Sequence, residues 1–353
     1  MEMTDTSVGD KLLEQAEDLA VKISDRQYEL NPELQDRFGQ MGKIRTIQDS
    51  LYSLRYLAES VLMNSPALFL HYISWLKILL KGYKVSDEDL SLNLRIMHDV
   101  LKKHFYHSDK SLILHHLEIG MSQLEAVEDL PTYLLEDNPL LAEAHAYLQA
   151  LLNGDRNRAW EKIEKLVKDE VPVQSIYMFI FQPTQYEIGR LWQLGTINVA
   201  QEHFCTAVTQ SIVSRLYPYW IQGKAGKKYS MVAACVGNEL HEIGLRMLTD
   251  FFEMEGWNTY YLGANVPSRS LVQTIGQQKA GLVAISATMT YHVHLVRDLI
   301  AEIRRDPACQ NVKIIVGGLP FNIDPSLWME VGADGYAPNA EEALETANRL
   351  VSA

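Results

Sequence analysis

The sequence predicts a multi-domain chain: helical through most of its length, then a doubly wound parallel α/β sheet. Three observations carry that prediction. First, 353 residues with 47% hydrophobic content can bury more than one core. Second, residues 1–125 are poor in Gly and Pro, and their apolar residues recur every three or four positions. Third, from about residue 226 onward short apolar runs alternate with segments of helical period, the pattern of a sheet wound on both faces.

The first region, 1–125, reads as helical at Leu51–Leu62, Leu68–Leu80 and Leu90–Leu101. Gly82 reads as a helix stop, and Ser86 with Asp89 three residues on reads as the next helix start. Several compact all-α folds fit; a globin-like sensor domain is the one expected. The region holds His71, His98, His104, His107, His115 and His116, any one of which could ligate a haem. No spacing singles one out, so solvated or hydrogen-bonded histidines on helix faces are the simpler reading.

Asp129-Leu130-Pro131 and Asp137-Asn138-Pro139 punctuate the boundary to a second helical block, 130–222. Helices are expected over Leu140–Leu152, Arg158–Val167, 172–194 and 198–216, with Asn153-Gly154-Asp155 as a stop and restart. Four antiparallel helices on short turns make a small bundle. Gly223 to Lys228 reads as a polar linker. Within the bundle, Trp192 closes one helix while Glu202 and His203 fall in the first turns of the next, so they can converge across the turn.

In the last block, 226–353, strands are expected at Ser230–Cys235, Thr259–Leu262, Leu282–Ser286, Lys313–Val316 and Gly335–Ala337, with helices between them. The stretch Val236-Gly237-Asn238-Glu239-Leu240-His241-Glu242-Ile243-Gly244 lies where the first strand hands over to a helix. Ligands of open α/β sheets bind at that strand end. A histidine there can offer one ring nitrogen to a metal while a carboxylate, here Glu239, holds the other. Gly244 lets something bulky approach the backbone. Ser286 and Thr288 share a face by the period of two, and Gly317-Gly318 ends a strand with room for a flat or chain-like group.

Taken in order, the histidine loop, the Ser-x-Thr strand and the Gly-Gly strand resemble the cobalamin-binding domain of corrinoid methyltransferases, mutases and vitamin-B12 photoreceptors. The resemblance implies a flavodoxin-like sheet over roughly 226–353, with His241 as the lower cobalt ligand. It also implies that the displaced nucleotide tail lies along Ser286, Thr288, Gly317 and Gly318. The commonest form of the motif has Asp two residues before the histidine; Glu239 stands here, as is typical of the light-sensing branch. Residues 130–222 then resemble the helical cap over the upper face of cobalamin. Trp192-x₉-Glu202-His203 is similar to the photoreceptor form, which implies Trp192 over the upper ligand, Glu202 on an adenosyl ribose and Val199 leaving adenosyl-sized room. The photoreceptor histidine that follows the tryptophan is Gln193 here, which leaves His203 as an adjacent candidate for capturing cobalt after photolysis.

Composition narrows the function classes. A formal net charge of -13 argues against a nucleic-acid partner. No 18-residue apolar run exists, and the first residues lack the basic and apolar regions of a signal peptide, so a cytoplasmic protein is expected. Cys205, Cys235 and Cys309 form neither zinc spacing nor a disulfide framework. The reading preferred on the sequence is a light sensor binding adenosylcobalamin, with biliverdin as second chromophore in the photocobilin manner and a light-dependent homo-oligomer. The alternative is a corrinoid carrier for a separate methyltransferase; a scaffold that binds cobalamin only as a ligand is a third class.

Overall fold

The computed structural model describes residues 7–126, 130–220 and 229–352. In chain order the N-terminal helices are α1 (Val8–Glu14), α2 (Ala16–Leu30), α3 (Glu33–Leu62), α4 (Pro66–Gly82), α5 (Asp87–His104) and α6 (His107–Met121). Helices α7 (Leu141–Leu152), α8 (Arg156–Lys168), α9 (Val173–Ile176), α10 (Gln182–Gln193) and α11 (Val199–Trp220) follow. The remainder is β1 (Ser230–Cys235), α12 (Ile243–Met254), β2 (Asn258–Gly263), α13 (Ser268–Gln278), β3 (Leu282–Ser286), α14 (Val293–Arg305), β4 (Lys313–Gly317), α15 (Leu319–Ile323), α16 (Leu327–Glu330), β5 (Gly335–Tyr336) and α17 (Ala340–Ser352).

The chain divides into two compact units. One holds residues up to 128 together with 287–298 and 318–332; the other holds 129–286, 299–317 and 333–353. In the first unit, α1 to α6 close over a core built on Leu19, Ile23, Leu54, Leu57, Phe69, Ile73, Leu94 and Leu117. The start of α5 is a capping box: Ser86 accepts from the Asp89 backbone and the Asp89 side chain accepts from the Ser86 backbone, satisfying two amides that helix geometry leaves open. Gly82 ends α4 as the sequence predicts.

The second unit carries both the bundle and the sheet. The helix expected over 172–194 is interrupted: Tyr177–Phe181 is a π-helical turn between α9 and α10. Asn138 Nδ2 donates to the Phe179 carbonyl in that turn, 2.7 Å away. The expected polar linker at 223–228 lies outside the described residues, as does Asp129. The five strands are all parallel in the order β2-β1-β3-β4-β5, a flavodoxin-like arrangement. Helices α12 and α17 bury Leu245, Phe252, Ala343 and Ala347 against Met231, Ala233, Leu282 and Ile315 of the strands. Another side of α12, with Met247, Phe251 and Met254, enters the core of the bundle beside Tyr177 and Phe181. Helix α12 therefore belongs to both layers, and it follows directly from the histidine loop.

Candidate functional site

The histidine loop runs from Val236 to Glu242 between β1 and α12. Asn238 turns it with φ of 66°, in the left-handed region that Asn tolerates better than most residues. The loop after β2 stitches it in place: the Asn238 N–H donates to Asn265 Oδ1 at 2.8 Å, and the Asn265 N–H donates to the Glu239 carbonyl at 2.9 Å. Neither asparagine was singled out from the sequence; each acts through tertiary pairing that no local pattern announces.

Glu239 is fully buried, and its Oε1 accepts from the His241 backbone N–H at 3.0 Å. The same oxygen lies 2.5 Å from His241 Nδ1. A carboxylate only accepts, so the neutral ring carries its proton on Nδ1 and keeps its lone pair on Nε2. The His241 side chain is 58% exposed, which leaves that lone pair open to a ligand. The Glu239 hydrogen bond is the main cause holding the His241 pKa above its ordinary value; burial works against it, and the charges of Glu239 and Glu202 add to it.

Ser286 and Gly317 are brought together as register partners at the ends of β3 and β4, and the Ser286 carbonyl accepts from the Val236 N–H at 3.2 Å. Gly244 lies in the first turn of α12, where an added Cβ would meet only open space, as it would at Gly237. Thr288 and Gly318 belong to the first unit. Gly318 has a structural account of its own: φ is 106°, and an added Cβ would lie 1.9 Å from the Ala287 carbonyl oxygen. Its lack of a side chain is required by the backbone, whatever ligand it also meets.

In the bundle, Trp192 is half-buried against the helical core and Gln193 is buried. Glu202 and His203 meet each other, with His203 Nδ1 2.5 Å from Glu202 Oε2, and Thr206 donates to Glu202 Oε1 at 2.9 Å. Val199 at the start of α11 is 51% exposed and Leu240 of the histidine loop is 72% exposed. An open imidazole lone pair, unfilled space at two glycines and uncovered apolar side chains are what a flat, largely apolar metal macrocycle requires. The residues present fit a corrinoid.

Comparison with known proteins agrees. The B12 binding domain family matches residues 229–345, and a second family of that description matches 143–217. The chain is 30% identical over 167 residues to dimethylamine corrinoid protein 2 of Methanosarcina mazei, covering 47% of this chain and 77% of that one. The chain belongs to the B12-binding domain family. Dimethylamine corrinoid protein 3 of Methanosarcina acetivorans is 26% identical over 208 residues, 59% of this chain and 96% of that protein. The monomethylamine corrinoid protein of Methanosarcina barkeri shares the fold, with a TM-score of 0.51 at 22% identity over 58% of this chain and 96% of that one.

These relatives correct the light-sensor expectation. The two curated relatives compared above are dimethylamine corrinoid proteins, and neither biliverdin nor an adenosyl group enters through them. In the structure Trp192 packs on the bundle core, and Glu202 meets His203 and Thr206 on α11. His116 is buried against Ser60 Oγ at 2.7 Å, with burial chiefly and then His115 lowering its pKa to about 4. His98 meets Glu118 and His104 meets Gln15. Among the described residues no three His, Cys, Asp or Glu side chains group to hold a metal, and no helix is long and apolar enough to cross a membrane.

Proposed function

We propose that this chain is a cobalamin-binding carrier that holds a methyl group for exchange with separate methyltransferase proteins. The observation that carries the reading is the pairing of His241 with the buried Glu239, which presents Nε2 of a neutral imidazole as a lower ligand. Its relatives' description as methylamine corrinoid proteins supports the methyl chemistry. Cobalt in a corrin, when bound, supplies a metal centre that accepts and releases a methyl group.

The chain's own residues bind and orient. His241 ligates through Nε2, while Glu239 fixes the ring and raises its donor strength through Nδ1–H. Ser286 and Gly317, side by side at the strand ends, would hold the tail of the cofactor. Trp192, Val199, Glu202 and His203 on the bundle would help to exclude water from a bound corrinoid. The partner this reading calls for is a methyltransferase rather than a second copy of the chain responding to light. Apoprotein should take up methylcobalamin at one equivalent, and His241→Ala should lose the imidazole-ligated spectrum. Reduced, loaded protein should take a methyl group from methyl iodide. Absence of binding overturns the reading, and binding without remethylation reduces the chain to a ligand-bound scaffold.

A further inference from the structure

Glu242, next to the ligand, is built into the structure more firmly than a loop carboxylate needs. Its Oε2 accepts from the Tyr261 hydroxyl at 2.9 Å and from the Ala264 N–H at 2.9 Å. Its Oε1 accepts from Gln210 Nε2 of α11 at 3.2 Å. The end of β2 is shaped to receive it. The β1–β2 register slips between Ala233 and Ala234, which pair with Tyr261 and Gly263, so one extra residue is accommodated there as in a β-bulge. Gly263 then adopts φ of 81°, and a Cβ at that position would lie 2.9 Å from Glu242 Oε2. A bulge, a glycine and two donors converge on one carboxylate.

The other oxygen faces the bundle. Gln210 lies two turns along α11 from Glu202. Beyond it Ser214 Oγ accepts from Arg246 at 2.7 Å, and Tyr177 donates to Asp250 at 2.8 Å. Glu242, Arg246 and Asp250 are spaced at i, i+4 and i+8, so they form one polar seam against the bundle. Glu242 is the member of that seam adjoining His241.

We propose that Glu242 is a positioning residue that couples the bundle to the histidine loop, so that lifting α11 alters the placement of the His241 ring. The inference rests on the cobalamin reading for its ligand but not for its latch. Helix α11 cannot leave Glu242 without breaking the Gln210 bond, and Glu242 is one residue from the ligand. Seat and ligand share a backbone.

Gln210→Glu places a like charge opposite Glu242 and disturbs only the seam. Glu242→Gln can keep an acceptor toward Tyr261 and Ala264 and bond a reoriented Gln210 amide. In the apoprotein, Gln210→Glu should speed hydrogen exchange in the first half of α11 by about tenfold, and Glu242→Gln should match wild type. In protein loaded with hydroxocobalamin and reduced to the Co(II) form, Gln210→Glu should weaken the axial-nitrogen splitting in the electron paramagnetic resonance spectrum. Glu242→Gln should keep it at wild-type strength. Unchanged exchange overturns the latch. Faster exchange with an intact axial-nitrogen signal overturns the coupling. If wild-type protein takes up no cobalamin, the cofactor reading fails while the apoprotein measurement still judges the latch.

Discussion

Two buried carboxylates in this chain treat a histidine in the same way, and only one pair reads as a ligand site. In the second unit Glu239 takes the backbone N–H and ring Nδ1 of His241. In the first unit Glu59, 1% exposed, takes the backbone N–H of His294 at 2.6 Å and its Nδ1 at 2.6 Å. The chemistry is shared; the surroundings differ. The His241 side chain is 58% exposed, beside Gly237 and Gly244 with open space around them. The His294 side chain is 23% exposed, and nearby Tyr291 packs edge-on against Tyr56 at 5.1 Å. A carboxylate orients an imidazole in both places, but of the two rings that of His241 is the one left open enough to meet a ligand. The other pair fastens residues 287–298 to α3.

The comparison breaks most sharply at His241→Ala. Ligation should be lost outright, measured as the spectrum of bound cobalamin reverting to a solvent- or base-ligated form. Thermal stability of the apoprotein should change less than ligation, because Glu239 keeps the backbone N–H of residue 241 when the ring is lost. An unchanged bound spectrum would sink the assignment of His241 as ligand.

Glu59→Ala should do the reverse. Removing the buried acceptor leaves the backbone N–H and ring N–H of His294 without it and costs about 1–3 kcal/mol. The cost should appear as a lowered unfolding midpoint of the first unit, followed by hydrogen exchange in α3 and α4. If the midpoint holds, the Glu59 pair is dispensable and the contrast with Glu239 loses its structural half.

Glu239→Ala should have a smaller effect than loss of the ligand itself. A partner that orients a metal-bound histidine typically tunes affinity by about 10–100-fold. Titration of apoprotein with hydroxocobalamin reads this directly, and wild-type affinity would reduce Glu239 to a buried loop anchor.

What was legible in the sequence follows the distance between partners. Glu239 and His241 are two residues apart in one loop, and Ser86 and Asp89 lie within one helical turn, so local pattern exposes both. Glu59 and His294 are 235 residues apart, and nothing in either segment names the other. The parallel, doubly wound sheet was legible because its strands alternate with helices along the chain. The π turn at Tyr177–Phe181 was not, because its apolar run suits an unbroken helix equally well. Glu242 was passed over as the residue after the ligand, since its acceptor role depends on a bulge in β2 and on Gln210 of another helix. Gly317-Gly318 looked like one feature and is two. Gly317 ends a strand in regular register, while Gly318 is fixed by its positive φ and the approach of Ala287. The photoreceptor expectation failed because it rested on one short spacing, Trp-x₉-Glu-His, whereas the relatives that match over 167 and 208 residues are dimethylamine corrinoid proteins.

The smallest effect sharpens the comparison through pH. At His294 burial pulls the pKa down, but the hydrogen bond and charge of Glu59, with Asp298 assisting, outweigh burial and an opposing Arg297, so the ring is held above its ordinary value. A histidine whose pKa is raised on folding binds its proton more tightly in the native state. Its contribution to stability is therefore complete below the unfolded value near 6.5 and is lost as pH rises through the folded value. The unfolding midpoint of the first unit should fall across that interval, with a shallow slope because one group is responsible. His116 in the same unit slopes the other way. Its pKa of about 4 means that stability is lost as pH falls from about 6.5 toward 4, so the two histidines act on opposite sides of neutrality. His294→Asn should flatten the alkaline side while leaving the acid side intact. A midpoint that still falls from pH 6.5 upward in His294→Asn would show that some other group carries the slope, and that the Glu59 pair holds its segment by hydrogen bonding alone.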